Sequence, residues 1–252
     1  MTLLADDPQL WDIVFREPPA RARFIGELAR SAGGGLLDVG CATGSFCRLL
    51  RRRGIDAEGV DINPRFVEAA RAKDPDGRFH VGDMRTLVLD RVFDVVVCLG
   101  TTFCYNLTNR EITATLARLR EHVRPGGLIL LDVLNAIAFA GPRPFRSVTR
   151  HAFSHGGVTA TATIRQRLDL AAQTMSEQVT WRCPGQPPQR DPEESLRLLF
   201  PQELVFHLES SGFEEVRLRG SFGLDPRERL DGRRLVAIAR RPVDAGQSSS
   251  II

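Results

Sequence analysis

The chain has 252 residues, 42% of them hydrophobic and 26% charged, with a formal net charge of +3. That size suits one large domain or a core domain carrying an insertion, and the hydrophobic content suffices for a buried core without disulfide or metal help. The charge excess is mild and its arginines are scattered, which argues against a nucleic-acid partner, and no apolar run is long enough to span a bilayer.

The N-terminal MTLLADDPQLW lacks the basic and apolar regions of a secretory signal. Five scattered cysteines, Cys41, Cys47, Cys98, Cys104 and Cys183, make no CxxC pair and no zinc spacing, so reduced thiols, a cytoplasmic location and no metal are expected. Residues 8–31 read as one or two helices broken near Pro18-Pro19. From 35 to 133 strands and helices alternate. GLLDV, IDAEGVDI, FDVVVCL and GGLILLDV are the strands; GSFCRLLRRR, PRFVEAARAK and NREITATLARLREHV are the helices. Such alternation predicts a parallel sheet covered on both faces. The arginines at 51–53 fall at a helix C-terminus, where the dipole favours cations, and RPGG at 124–127 reads as a helix stop and turn. Then VTATATIRQRLDL and TMSEQVTWRC alternate apolar and polar residues, the period of half-exposed antiparallel strands. FPQELVFHLESSGF is a helix stopped by Gly212, and FEEVRLRG and RRLVAIARRP are the last two strands. The expected organisation is a helical cap over 1–34, an α/β core over 35–142, an antiparallel β insertion over 143–200, completion of the core over 201–242 and a disordered tail over 243–252.

The stretch LLDVGCATGSF (36–46) places Asp38 and Gly40 at the end of the first strand and Gly44 at the start of the next helix. Its D-x-G-x-x-x-G spacing is not the GxGxxG of dinucleotide sites. It resembles motif I of the class I S-adenosylmethionine (SAM) dependent methyltransferases. GVDIN (59–63), HVGDMRTL (80–87), FDVVVCLGTTFCYNL (93–107) and HVRPGGLILLDV (122–133) resemble the family's later segments in the same order. The resemblance implies a Rossmann-like fold, a mostly parallel seven-stranded sheet with helices on both faces, with SAM as cofactor. It implies that Asp38 meets the amino group of the methionine part and that the Gly40–Gly44 loop, with Ala42 where many relatives have glycine, packs against its backbone. Asp61 would accept the ribose hydroxyls with Ile62 beside it. Asp83 would meet the adenine amine with Met84 at the ring, and Leu99 and Gly100 would complete the site. Three acids after three successive strands lie where open α/β sheets bind ligands.

The acceptor side is less legible. Tyr105, the chain's one tyrosine, follows the fourth strand and is a candidate catalytic residue or a packing aromatic. Of five histidines, His151 and His155 flank an expected turn at the start of the insertion and are the candidate bases. His122 is expected at a helix end as a dipole partner, and His80 and His207 as structural groups. LWDIVFRE (10–17) resembles the N-terminal helix of small-molecule N-methyltransferases acting on aminosugars and glycine-like amines. By that resemblance Trp11 covers the cofactor, with packing onto the core as the alternative, and Arg16 lies near the SAM carboxylate. The insertion resembles that subgroup's too, implying an acceptor pocket and a homodimer contact. Trp181, Arg182 and Arg197 are candidates to face an acceptor. Methyl transfer to nitrogen of a small molecule of secondary metabolism is the expected activity. Methylation of a phenol or alcohol, SAM binding without catalysis, aminopropyl transfer and a macromolecular substrate are alternatives. The last lacks the [DNS]-P-P-[YFW] tetrad after the fourth strand, which has LGTTF.

Overall fold

The computed structural model describes residues 7–141, 145–155, 158–223 and 229–243. The expected disordered tail therefore lies almost wholly outside the described residues, as do the first six residues and the side chain of His155.

Two short helices lead in. Helix α1 (Pro8–Val14) starts where the Asp7 carboxylate accepts the N–H groups of Gln9 and Leu10 at 2.9 and 3.0 Å, a side-chain cap on donors that have no partner inside the helix. Helix α2 (Pro19–Ala32) opens on proline and stops at Gly33. The core then alternates β1 (Gly35–Val39), α3 (Ser45–Arg51), β2 (Asp56–Asp61), α4 (Pro64–Lys73), β3 (Arg78–Val81), β4 (Phe93–Cys98), α5 (Asn109–His122) and β5 (Val123–Leu134). Helix α5 has a reciprocal cap: Thr108 Oγ1 accepts the Glu111 N–H at 3.2 Å, and Glu111 Oε2 accepts the Thr108 N–H at 2.9 Å. After the short helix α6 (Ile137–Ala140) come β6 (Val148–His155), β7 (Val158–Asp169), β8 (Thr174–Arg182), β9 (Gln189–Arg190) and β10 (Glu194–Arg197). Helix α7 (Pro201–Ser210), β11 (Glu214–Arg219) and β12 (Arg234–Arg240) finish the fold.

The large sheet has seven strands in the order β11-β12-β5-β4-β1-β2-β3. All neighbours are parallel except β12, which runs against both β5 and β11. This is the Rossmann-like architecture the sequence implied. Successive strand residues feed opposite faces. Leu37, Val39 and Val96 join Ile112, Leu116 and Leu119 of α5, while Leu36, Val95 and Val97 join Ile25 and Ala29 of α2 and Val67 of α4. Side chains of this kind, wholly buried, contribute roughly 1.5–3 kcal/mol each. The chain runs outward from β1 to β3, then returns to β4 on the other side of β1. That reversal leaves a crevice above the carboxyl ends of β1 and β4.

The second sheet is antiparallel, in the order β10-β8-β7-β6, with β9 paired to β8. It is tied to the core by Leu199 N–H to Leu134 O at 3.1 Å and Ala136 N–H to Leu199 O at 3.0 Å. Leu10 of α1 packs with Ala160, Ala162 and Trp181, so α1 bridges the two sheets. Strand β6 is a correction. His151 sits mid-strand opposite Ala162 instead of flanking a turn. RPGG is also not a plain turn. It lies at the start of β5, where the register with β4 shifts between Phe93 and Val95.

Candidate active site

Above the carboxyl rim lies a cleft of about 1000 Å³, walled by α1, the segments after β1, β2, β3 and β4, and strands β8 and β10. A second hollow, of about 640 Å³, is lined by Pro19, Ala20, Arg23, Arg30 and Arg53 and holds no carboxylate or histidine. The acids at the strand ends gather in the larger one.

The bend after β1 is pinned to β2, since the N–H groups of Gly40 and Cys41 both reach Val60 O, at 2.8 and 3.0 Å. Gly40 has φ +80°, and a Cβ there would overlap the Thr102 side chain, so only glycine lets the loop after β4 close against the bend. Ala42 is left-handed as well, at φ +47°, a region that costs a side chain roughly 1–2 kcal/mol. Its N–H is held by Asp61 Oδ2 at 2.8 Å. The backbone accepts this strained angle, and Ala42 stays on the cleft wall. Gly44 caps α3 at φ +70°, and a Cβ there would come within 2.8 Å of Ala70 Cβ and within 2.6 Å of Phe79 Cε1, so it lets the helix pack closely on its neighbours; it is not among the residues that line the cleft.

Asp38 is 3% exposed, and its Oδ1 has no hydrogen-bond partner. Burial, and next the charge of Glu17, push its carboxyl up to about 7, against the opposing pull of Arg21. A buried carboxylate oxygen without a donor costs free energy until a donor arrives. Asp61, also pushed up by burial, is opposed by N–H donors from Asn63, Ala42 and Ile62. Each of its oxygens keeps lone-pair capacity for a hydroxyl. Asp83 is held below the usual carboxylate range by Arg85, whose Nε and Nη2 reach it at 2.9 and 2.7 Å. Most of its acceptor capacity is thus spent inside the protein. Met84 lines the cleft and is touched by Asn106 Nδ2 at 3.8 Å. Ile62, Leu99 and Gly100 line it too, with Ile62 62% exposed at the rim.

Trp11 and Arg16 reach the cleft from the N-terminal segment. Trp11 stands 4.8 Å from Phe66 and 4.3 Å from Phe15, ring centre to ring centre. One residue on, Asp12 fastens α1 to the bend: it accepts from Thr43 Oγ1, from Ser45 Oγ at 3.1 Å and from Lys73 Nζ. No signal in the sequence singled out Asp12, because its three partners lie 31 to 61 residues away. A second missed group is Asp132, at the carboxyl end of β5. It is 1% exposed and held by Arg234, with Nε at 2.7 Å.

On the acceptor side, Tyr105 O–H donates to Glu194 Oε2 of β10 at 2.7 Å. Burial, and then Glu194, push the phenol well above its ordinary range. Tyr105 is in place as a donor. His151 is exposed on β6, and no histidine lines the cleft among the described residues. The structure thus does not bring His151 to the cleft, and the side chain of His155 lies outside the described residues. His122 ends α5 as expected and is buried with both ring nitrogens engaged, Nδ1 against Arg118 O at 2.7 Å and Nε2 accepting Leu89 N–H at 2.9 Å, so it also braces a loop. Trp181 is 2% exposed and donates to Asp191, Arg182 is exposed, and Arg197 binds Glu203 at 2.7 Å; none of the three lines the cleft.

A family model described as a methyltransferase domain matches residues 36–127, the stretch from β1 to the start of β5 that carries the bend and the three acids. The dTDP-3-amino-3,4,6-trideoxy-alpha-D-glucopyranose N,N-dimethyltransferase of Streptomyces venezuelae is 31% identical over 134 residues, 50% of this chain. The matched stretch spans 56% of that relative's own length. Over nearly the whole chain the fold is that of the CcbJ methyltransferase from Streptomyces caelestis, with a TM-score of 0.79 at 21% identity, covering 96% of this chain and 99% of that one. It is also that of SAM-bound CalS10, an amino pentose methyltransferase from Micromonospora echinaspora, with a TM-score of 0.72 at 24% identity, covering 92% and 95%. The likeness of fold extends past residues 36–127 to the antiparallel insertion and α1.

Proposed function

We propose that the protein is a SAM-dependent methyltransferase acting on nitrogen of a small molecule of secondary metabolism. The observation that carries the reading is Asp38, a buried carboxylate with an oxygen lacking a donor, at the topological reversal of the sheet. An ammonium is the group that satisfies it, and the residues around it fit the rest of such a cosubstrate. Gly40 and Ala42 offer a bare backbone, Asp61 offers acceptors to a ribose, and Met84 and Ile62 offer apolar surface to a base. Asp83 has the least capacity to spare. Leu99 and Gly100 close the floor, Trp11 stands over the opening, and Arg16 is placed for a carboxylate. When bound, the cosubstrate supplies a methyl group on a sulfonium, which passes to nitrogen as the S–C electron pair stays on sulfur.

The chain's own part is to hold the reactants in line and exclude water. Nitrogen is favoured over oxygen because a weak base such as a carboxylate suffices to leave an amine neutral when it attacks, whereas a phenol or alcohol gains from a stronger one, and among the described residues no histidine lines the cleft. The relative from Streptomyces venezuelae and the amino pentose methyltransferase support the same choice and a sugar-like acceptor. A cytoplasmic site of action and a homodimer through β6 belong to this proposal; the latter is supported by β6 being an edge strand. Calorimetry with S-adenosylhomocysteine, followed by turnover of labelled SAM with pooled amines and phenols, tests it. Methylated amine is expected, and absence of S-adenosylhomocysteine binding overturns the reading.

A further inference from the structure

The wall of the cleft opposite the bend is built of carboxylates. In the antiparallel pairing of β10 with β8, Glu194 lies directly across from Glu177. Side chains so opposed leave the sheet on one face with Cβ atoms roughly 4.5–5.5 Å apart, and like charges there are unfavourable. Both line the cleft, and Asp191 joins them from just before β10. The donors that reach the pair are neutral: Tyr105 O–H to Glu194 and Gln166 Nε2 to Glu177, both at 2.7 Å. No lysine or arginine of the insertion lines the cleft among the described residues. Among the described residues of the lining, nine carboxylates face four arginines. On the cofactor side Arg85 pairs with Asp83, Arg234 with Asp132, and Arg21 with Glu17. The unpartnered Asp38 Oδ1 in the same cleft is a separate sign that positive charge is what this cavity awaits.

We infer, resting on the methyltransferase reading above, that the acceptor is an amine that arrives as a cation and carries no phosphate, recognised by the Glu177–Glu194 pair, and that it gives its N–H proton to one of these carboxylates before the neutral nitrogen attacks the methyl. Two facing carboxylates across a strand pair are stabilised when a cation lies between them, and the apolar Val179 and Leu196 beside them suit the carbon frame of such a molecule. A nucleoside diphosphate handle meets the opposite situation. It would bring further negative charge to a wall that presents no cation of its own. The pair is a specificity device; it selects the acceptor and leaves the cosubstrate to the residues of the rim.

The test uses the full chain. Binding of S-adenosylhomocysteine is measured first, and its failure would sink the underlying reading. Labelled SAM is then offered with a panel of phosphate-free amino sugars and aminocyclitols, and with the same amino sugars carried on a nucleoside diphosphate. Turnover is expected among the phosphate-free amines. Their KM should rise at least tenfold in Glu177→Gln and in Glu194→Gln, with the Kd for S-adenosylhomocysteine changed less than twofold. For the unaltered protein KM should rise as salt is raised, since screening weakens attraction of a cation. Turnover confined to the nucleotide-linked amines overturns the inference. So does a KM insensitive to both substitutions and to salt, or the absence of amine turnover in a protein that binds S-adenosylhomocysteine.

Discussion

The Asp61 carboxylate accepts the backbone N–H of Ala42 at 2.8 Å, so the acid that ends β2 also holds the left-handed residue in the bend after β1. Its other oxygen accepts Asn63 N–H at 2.9 Å. One side chain thus shapes the floor of the cleft and presents acceptors to it. Asp61→Ala is expected to lower stability by about 1–3 kcal/mol, the cost of leaving such donors without a partner, and to abolish measurable S-adenosylhomocysteine binding. Asp61→Asn keeps a carbonyl acceptor and should recover most of the stability. Denaturant titration beside calorimetry separates the two effects, and wild-type stability in Asp61→Ala would show that the bend does not depend on this carboxylate.

Asp38 makes cosubstrate binding depend on pH. Its folded-state pKa of about 7 lies above the ordinary carboxylate value, so the folded protein holds this proton more tightly than the unfolded chain. Its contribution to stability is fully present below about pH 4 and is lost as pH rises through about 7. An ammonium prefers the ionised form. The affinity for S-adenosylhomocysteine should therefore increase as pH is raised from 5.5 toward 7, then level off, with protons released on binding at the lower end. Asp38→Asn should flatten that slope. Calorimetry in buffers of different ionisation enthalpy reads the protons directly, and zero release at pH 6 would contradict the assignment.

Tyr105 and Glu194 form a link between the loop after β4 and the insertion. Tyr105→Phe removes the donor and leaves Glu194 without its closest fixed partner. The expected result is a several-fold rise in acceptor KM, with S-adenosylhomocysteine affinity unchanged within twofold. The pH profile of turnover should show no limb assignable to a phenol, because the ring is held protonated by its surroundings. A variant indistinguishable in KM would return Tyr105 to packing duty.

Asp12 clamps α1 by one carboxylate to Thr43, Ser45 and Lys73. A seven-residue helix does not persist by itself in water. Asp12→Ala should therefore loosen α1, raise its susceptibility to proteolysis and weaken S-adenosylhomocysteine binding about tenfold, with the melting of the core little altered. Lys73→Met should do part of the same, and a double-mutant cycle should show the two effects to be coupled. Strict additivity would mean that the ion pair does not hold the helix.

The strands at the centre of the large sheet were legible as uninterrupted apolar runs ending in acids, because both faces of a parallel strand are buried and sequence and environment agree. Strand β6 was not. Most of its residues are exposed on an edge, so burial imposes no alternation to be seen. His151 was misplaced for that reason. The position of Asp38, Asp61 and Asp83 at strand ends was readable. Their different states were not, since burial, Glu17 and Arg85 set them, and those neighbours come from other elements or from side-chain directions that spacing does not specify.

Local order along the chain was enough to settle the alternation of strands and helices, the tight bend at Gly40 and the line of acids above the sheet, because hydrophobic periodicity and glycine geometry act between near neighbours. Tertiary structure alone decided that Asp12 latches a helix, that Gly44 serves packing, that Tyr105 donates to Glu194 and that Glu177 and Glu194 face one cavity. Those relations join residues up to 89 positions apart. They exist only once the insertion folds back over the rim, which no local pattern encodes.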